Sequence, residues 1–324
     1  TADTIPPNVL NATLNYSTGV LIIETDETVD VTASSRINLS NFFLSNSPNS
    51  RDIPLIRSTI IEQDALAITI TIPPVDRANA IALSGTSGGD GIGLRLDVLE
   101  AAFHDIGKND VQEDLFIRIY ESDDIVPPVV LNANLSYGTG TLVITSDEVL
   151  DFTAASQVDL SKMFFSNTAE DKFLPLVYST IIETDGLQTT VILSERERVN
   201  AIAKSGLIAK GGDGSVILFD VLANGVQDVA YNFNLKQTSI LVYETPDTIV
   251  PNITNGTLDY SHGVLTLQAT EIVDTTPSYM IVLPLILVVN NTGDAVLALS
   301  GATVTASDQY QVTIQLTEYQ RARS

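Results

Sequence analysis

Apolar and polar residues alternate with a period of two through short stretches of this chain, and clusters of Gly, Asn, Asp and Ser separate the stretches. That pattern belongs to half-buried strands rather than to helices. Between residues 124 and 246, Leu131–Tyr137 alternates and runs into a Gly-Thr-Gly turn, and Thr141–Thr145 and Val158–Phe165 follow. Leu174–Glu183 leads to Asp185-Gly186, a strong hairpin signal, and on into Leu187–Leu193. Glu195–Ala203 reads as one short helix, and Val216–Val221 and Ser239–Tyr243 close the unit. Seven short strands separated by turn residues predict a β-sandwich, with one face of each sheet turned inward.

The unit repeats. Asp3, Pro6 and Pro7 return as Asp124, Pro127 and Pro128, and Asp247 and Pro251 open a third copy. Tyr16, Tyr137 and Tyr260 stand at equivalent points, each just before a Gly-containing turn. Asp26-Glu27 and Asp30 match Asp147-Glu148 and Asp151, and Glu271 and Asp274 persist in the third copy. Asp105 and Asn109 match Asp228 and Asn232. The expected architecture is all-β, with tandem immunoglobulin-like β-sandwiches over residues 1–123 and 124–246 and an incomplete third repeat over 247–324. The repeat motif is the sequence signature of such arrays.

Composition narrows the function. Forty-four per cent of the residues are hydrophobic and the mean hydropathy is +0.20, enough for full cores. The net charge of −24, from 16 basic and 40 acidic residues, excludes a basic stripe for nucleic acid and disfavours anionic membranes. Its longest apolar run, residues 280–289, is interrupted by Pro284 and is too short to span a bilayer, so no membrane insertion is expected. With no cysteine there is no disulfide framework, thiolate metal site or thiol nucleophile. The opening at Thr1 reads as that of a processed or partial chain.

The opening Asp-x-x-Pro-Pro, the central Asp147-Glu148-x-x-Asp151 and the late Gly225 to Asn232 turn together resemble the bacterial immunoglobulin-like repeats of surface-layer proteins and large adhesins. The resemblance implies extended, non-catalytic surface architecture. It departs at His104, before Asp105, and at Ala102, where repeat two has Gly225.

Candidate chemistry is sparse. His104 and His262 occupy non-equivalent points of different repeats, which argues for surface histidines and against a catalytic pair. Gly88 to Gly93 superficially resembles a phosphate-cradling loop, but a helix precedes it and a strand follows, the reverse of the required order. Carboxylates at the repeat boundaries are the stronger signal. Glu121, Asp123 and Asp124, then Glu244 and Asp247, with Asp105 and Asp228 in the late turns, are candidate calcium ligands, because calcium takes six to eight oxygens. No other cofactor is expected. Asn11, Asn15, Asn38, Asn134, Asn252, Asn255 and Asn290 each open an Asn-x-Ser/Thr sequon, making N-linked glycans candidate decorations of a solvent-facing first strand.

The third repeat differs in two ways. Leu316 and Arg321 align with Leu193 and Arg198, and the two strands that follow in repeat two have no counterpart before Ser324. In addition, Val158–Ser166 of repeat two becomes Ile281, Val282, Leu283, Pro284, Leu285, Ile286, Leu287, Val288 and Val289, so that Asp159, Ser161, Lys162 and Ser166 are all replaced by apolar residues. Apart from Pro284, these eight apolar side chains are expected to form a strand buried on both faces and to serve as an assembly interface. The sequence therefore predicts a non-enzymatic subunit of an extracellular fibre or surface layer, self-assembled head to tail. Strand complementation of repeat three from Thr4–Leu14 of a neighbour is one expected route. The alternative is a calcium-stiffened stalk segment of a longer adhesin.

Overall fold

In the computed structural model, which describes residues 3–48, 50–167, 174–290, 293 and 296–324, the alternating stretches are strands in three successive sets. The first set is β1 (Val9–Asn15), β2 (Val20–Val29), β3 (Phe42–Ser45), β4 (Ile53–Pro54), β5 (Thr59–Ile60), β6 (Ala65–Thr71), helix α1 (Pro74–Ala82), β7 (Arg95–Val98) and β8 (Asp114–Ser122). The second is β9 (Val130–Ser136), β10 (Thr141–Leu150), β11 (Met163–Ser166), β12 (Leu174–Pro175), β13 (Thr180–Ile182), β14 (Gly186–Ile192), α2 (Glu195–Ala203), β15 (Leu218–Val221) and β16 (Gln237–Thr245). The third is β17 (Ile253–Asp259), β18 (Val264–Val273), β19 (Leu287–Val289), β20 (Val296–Ala298), β21 (Thr303–Val304), β22 (Gln309–Gln315) and α3 (Glu318–Arg321).

Repeats one and two share one strand order, β4-β3-β7-β8-β1-β2-β6-β5 and β12-β11-β15-β16-β9-β10-β14-β13. The joint is β8. Its first half pairs antiparallel with β7, and its second half runs parallel to β1, with Ala12 opposite Ile119 and Asn15 opposite Ser122. Between the halves Phe116 takes φ +63° and its N–H donates to Asp97 Oδ1 at 2.7 Å; Ser239 and Asp220 repeat this bulge in β16. Inward residues of both half-sheets make the core: Leu14, Tyr16, Ile23, Phe42, Leu96 and Phe103 are buried, and Phe42 stacks on Phe103 at 6.2 Å. Each such side chain contributes roughly 1.5–3 kcal/mol. The protein is thus all-β, built of immunoglobulin-like sandwich repeats.

Repeat three has the same pieces without the joint. A four-stranded sheet, β17-β18-β22-β21, matches β1-β2-β6-β5, and a separate hairpin, β19-β20, matches β3-β4. Among the described residues no strand lies on the outer edge of β17 or β19. The consequence is visible at the equivalent tyrosines: Tyr16 is 0% and Tyr137 1% exposed, whereas Tyr260 is 59% exposed. The expected strand over residues 281–289 is corrected. Only Leu287–Val289 is strand, and Leu283–Leu285 forms a 3₁₀ turn entered at Pro284, as Leu39–Asn41 and Leu160–Lys162 do in the other repeats. Nor is the stretch buried on both faces. Ile281, Leu283, Ile286 and Val288 pack on the small core of Leu265, Leu299, Val312, Ile314 and Leu316, while Val282, Leu285, Leu287 and Val289 face outward. Leu285, in the place of Asn41 and Lys162, is 79% exposed. The expected donor strand is corrected in part: residues 9–15 pair with β2, residues 12–15 also pair with β8, and Asn8 bonds Asp26, all within their own repeat, so that only the extended residues 4–7 lie outside this pairing.

The chain packs as two bodies, one of Thr1–Leu135, Thr141–Ile192 and Ser215–Glu244, the other of Ser136–Gly140, Leu193–Gly214 and Thr245–Ser324. The first contains the boundary between repeats one and two; the second contains α2 together with repeat three. No helix among the described residues is long and apolar enough to cross a membrane.

Candidate functional site

The boundaries are built around one arginine per repeat, the fourth residue of each short helix. Prolines 73 and 74 start α1, and a capping box of Ser194 with Glu197 starts α2. Each helix lays its arginine across the turn after the repeat's first strand. There Gly19 and Gly140 both take φ +67°, and a Cβ on either would meet the arginine Cδ at 3.5 Å.

In the first body Arg77 Nη2 donates to Glu148 Oε1 at 2.6 Å, and Nη1 donates to the Ser17 carbonyl at 3.4 Å. Glu148 belongs to a buried trio with Asp124 and Asp228, whose carboxylate oxygens lie within 4.8 Å of one another. Asp228 accepts from the Ala230 and Asn232 backbone and from Asn232 Nδ2; Asp124 Oδ1 accepts from Val126 N–H. Glu148 Oε2 is buried without a hydrogen-bond partner. Burial, offset in part by Arg77 and reinforced by the charges of Asp124 and Asp228, pushes the Glu148 carboxyl up to about 7. Burial likewise raises Asp228. A cavity of about 10 Å³ adjoins the trio, between Arg77 and Glu148. Three carboxylates against one guanidinium leave two negative charges, so the trio can take up a proton or a hard cation.

In the second body Arg198 makes the corresponding contacts. It donates to Asp247 Oδ2 at 2.5 Å, to Glu271 Oε2 at 3.0 Å, to both oxygens of Glu195 at 2.6 Å and to the Tyr137 carbonyl at 2.9 Å. The hydrogen bonds to Glu195, against the cost of burial, and then those to Asp247 raise the pKa of this guanidinium. A third group, Asp3, Glu27 and Asp105, repeats the trio at the head of repeat one.

The candidate calcium ligands thus divide. Asp124 and Asp228 meet, and Asp105 joins an equivalent group, but Glu148, Asp3 and Glu27 complete these clusters and were not among the expected ligands. Their signal was the Asp-Glu-x-x-Asp motif in register in repeats one and two for Glu27 and Glu148, and the Asp-x-x-Pro-Pro opening for Asp3. The others do not converge. Glu121 turns into repeat one, where it accepts from the Tyr16 hydroxyl and from Leu94 N–H. Glu244 is its counterpart on β16, Asp123 is exposed, and Asp247 serves Arg198. Among the sequon asparagines, Asn11 is half-buried and hydrogen-bonded to Glu24, while Asn15, Asn38, Asn134, Asn252, Asn255 and Asn290 are exposed. The rest of the Asn290 sequon, Asn291 and Thr292, lies outside the described residues. His104 lies 3.6 Å from Asp30, and His262 bonds Asp259 at 2.7 Å on the surface. Gly88 packs against the Val229–Ala230 turn, where a Cβ would meet the Val229 carbonyl at 2.0 Å.

No protein-family model matches the chain, and no curated protein does. Solved structures similar to it include two chains described as "Marsupial T cell receptor". One is 11% identical with a TM-score of 0.13, covering 97% of this chain and 93% of its own. The other is 9% identical with a TM-score of 0.15, covering 96% and 92%. Likenesses at that level carry no argument. The fold and the site define the protein by themselves: a tandem immunoglobulin-like array whose repeats are joined by buried arginine–carboxylate contacts.

Proposed function

We propose that this protein is a non-catalytic structural subunit of an extracellular fibre or surface layer, akin to the surface-layer and adhesin repeats it resembles, assembled head to tail from copies of itself. The observation that carries this reading is the outward apolar row of repeat three: Val282, Leu285, Leu287 and Val289 are exposed, and Val282 and Leu285 stand where the other repeats have Asn38, Asp159, Asn41 and Lys162. Repeats one and two supply the argument for a second copy as the occupant, because a repeat of this sequence hands its tail to the head of another. An open arrangement of that kind propagates as a filament. N-linked glycans on the exposed asparagines suit the same setting. Sedimentation tests the reading. The chain is expected to form long polymers, and Leu285→Asp and Leu287→Asp are expected to leave monomers, since a carboxylate buried without a partner costs several kcal/mol. A chain that stays monomeric at every concentration, or variants that polymerise unchanged, would overturn it.

A second reading, a stalk segment stiffened by calcium, is favoured by the buried trio of Asp124, Glu148 and Asp228. Native mass spectrometry of the intact polypeptide separates the two. A chain carrying two further strands after Ser324 would close repeat three by itself, as a stalk requires.

A further inference from the structure

Repeat one carries a pair of charges that repeat two lacks. Arg95 on β7 stands directly opposite Arg118 on β8, and the equivalent partners on β15 and β16 are Leu218 and Leu241. Like charges set opposite one another on neighbouring strands destabilise a sheet, and the leucine pair shows that the fold does without them. A local rule broken with no gain to the fold is the mark of a functional site.

Neither guanidinium is neutralised. The chain holds 40 acidic residues against 16 basic ones, and Arg36, Arg57, Arg77, Arg198 and Arg321 each grip a carboxylate. Among the described residues no carboxylate forms an ion pair with Arg95 or Arg118. Aromatic rings hold them instead. The Arg95 guanidinium lies over the Phe116 ring at 5.3 Å, and that of Arg118 over the Tyr120 ring at 4.8 Å. Phe116 is particular to repeat one, since Ser239 stands in its place in repeat two. Stacking uses the flat face of a guanidinium and leaves its in-plane N–H groups for an acceptor. Arg95 spends one on the Leu94 carbonyl, at 3.3 Å, and Arg118 spends none among the described residues.

A cavity of about 510 Å³ opens beside the pair, a size suited to a small ligand. Gly85 and Gly93 give it a wall of bare backbone, and a Cβ on Gly93 would meet Glu121 Oε2 at 3.2 Å; Thr86 and Tyr120 add hydroxyls. Two carboxylates also line it. Glu121 is engaged by Tyr16 and Leu94, and Asp123 is exposed.

We propose that Arg95 and Arg118 bind the acid group of an acidic sugar, the carboxylate of a uronic acid or a sulfate ester, with the rest of the glycan lying in the adjoining cavity. The two planar forks match the oxygens of either group. Backbone and hydroxyl groups along the cavity suit the hydroxyls of a sugar better than the apolar side chains of a peptide. Glu121 and Asp123 restrict the site to isolated acid groups and disfavour a dense polyanion. Such a site gives a structural repeat something to hold, whether or not copies of the chain assemble.

Isothermal titration of the 324-residue chain tests it, with trigalacturonate for the carboxylate, a chondroitin sulfate tetrasaccharide for the sulfate and neutral maltotriose as control. At least one acidic sugar is expected to bind, and maltotriose is not. Arg95→Leu with Arg118→Leu, which installs the pair of repeat two, is expected to weaken binding about tenfold or more, while its thermal melt is no lower than that of the parent because the repulsion is gone. Arg196→Leu with Arg323→Leu removes two charges elsewhere and is expected to leave binding unchanged. Binding that survives the first double variant, or that falls equally in the second, overturns the site, and so does a parent chain that binds neither acidic sugar. Altered sedimentation of the first double variant, with no sugar bound by the parent, would give the pair to a protein partner and overturn it as well.

Discussion

The Tyr16 hydroxyl donates to Glu121 at 2.6 Å, across 105 residues of sequence, and so ties the first strand of the repeat to the last. The other carboxylate oxygen accepts from Leu94 N–H at 3.1 Å. Burial, then the Glu121 bond, drives the Tyr16 hydroxyl far above its ordinary range, so it stays neutral at any physiological pH. Among the described residues Tyr260 finds no such carboxylate and donates to the Ser324 carbonyl at 3.5 Å. Tyr16→Phe is therefore expected to lower the stability of repeat one by about 1–2 kcal/mol, leaving the Glu121 oxygen unpaired. Tyr260→Phe is expected to change stability by less than about 0.5 kcal/mol in the unassembled chain. Thermal melts of the two variants check this.

Stability of the first boundary should depend on pH with an unusual sign. The Glu148 carboxyl, faced by Arg77, Asp124, Asp147 and Asp228, titrates near 7 in the folded chain, against an ordinary 4.5. A carboxyl raised on folding binds its proton more tightly in the native state. Its contribution is thus fully present below about pH 4.5 and fades as the pH climbs towards 7, by on the order of 3 kcal/mol. Glu148→Gln is expected to flatten that slope. Melting measured from pH 4.5 to 7.5 would refute the assignment if both proteins gave the same slope.

Calcium reverses that dependence if the trio takes it up, since a bound cation replaces the proton. Adding millimolar calcium after chelation is expected to raise the melting temperature at pH 7, by about 2.7 kcal/mol of stability at a hundredfold excess over Kd. Asp228→Asn is expected to abolish the response. A melting curve indifferent to calcium rules the trio out as a calcium centre.

Two glycines a few residues apart should respond differently to the same substitution. Gly88 takes φ +83° and touches the Val229 carbonyl, whereas Gly91 takes φ +87° with nothing within 4 Å of a Cβ. Gly91→Ala costs only backbone strain, about 1–2 kcal/mol. Gly88→Ala adds a clash that pushes repeat one off the turn of repeat two, and limited proteolysis between residues 122 and 130 is expected to report the opening. Equal proteolysis of the two variants would show that Gly88 is not a contact point.

The repeats and the short helix were legible because each is written locally, in alternation, turn residues and register. The trios were not, because Asp124 and Asp228 stand 104 positions apart, and only the parallel run of the last strand beside the first brings late turn and opening motif together. Residues 281–289 misled for a different reason. Their apolar character reads as a strand, yet Pro284 sits where Ser40 and Ser161 sit, inside a turn that Asn38 and Asp159 cap in the other repeats. Backbone geometry there follows the repeat even though the side chains do not.

Because β8 runs parallel to β1, a chain pulled from its two ends loads the Ala12–Asn15 and Ile119–Ser122 pairing in shear, with every hydrogen bond of the patch strained at once. A mechanical clamp of that geometry yields only when the whole patch lets go, so rupture is governed by the unfolding rate rather than by equilibrium stability. Repeats one and two carry the clamp; among the described residues of repeat three no strand pairs on that side of β17. Stretched as a single molecule, these 324 residues are expected to give way first, and at low force, in residues 247–324, ahead of either clamped repeat.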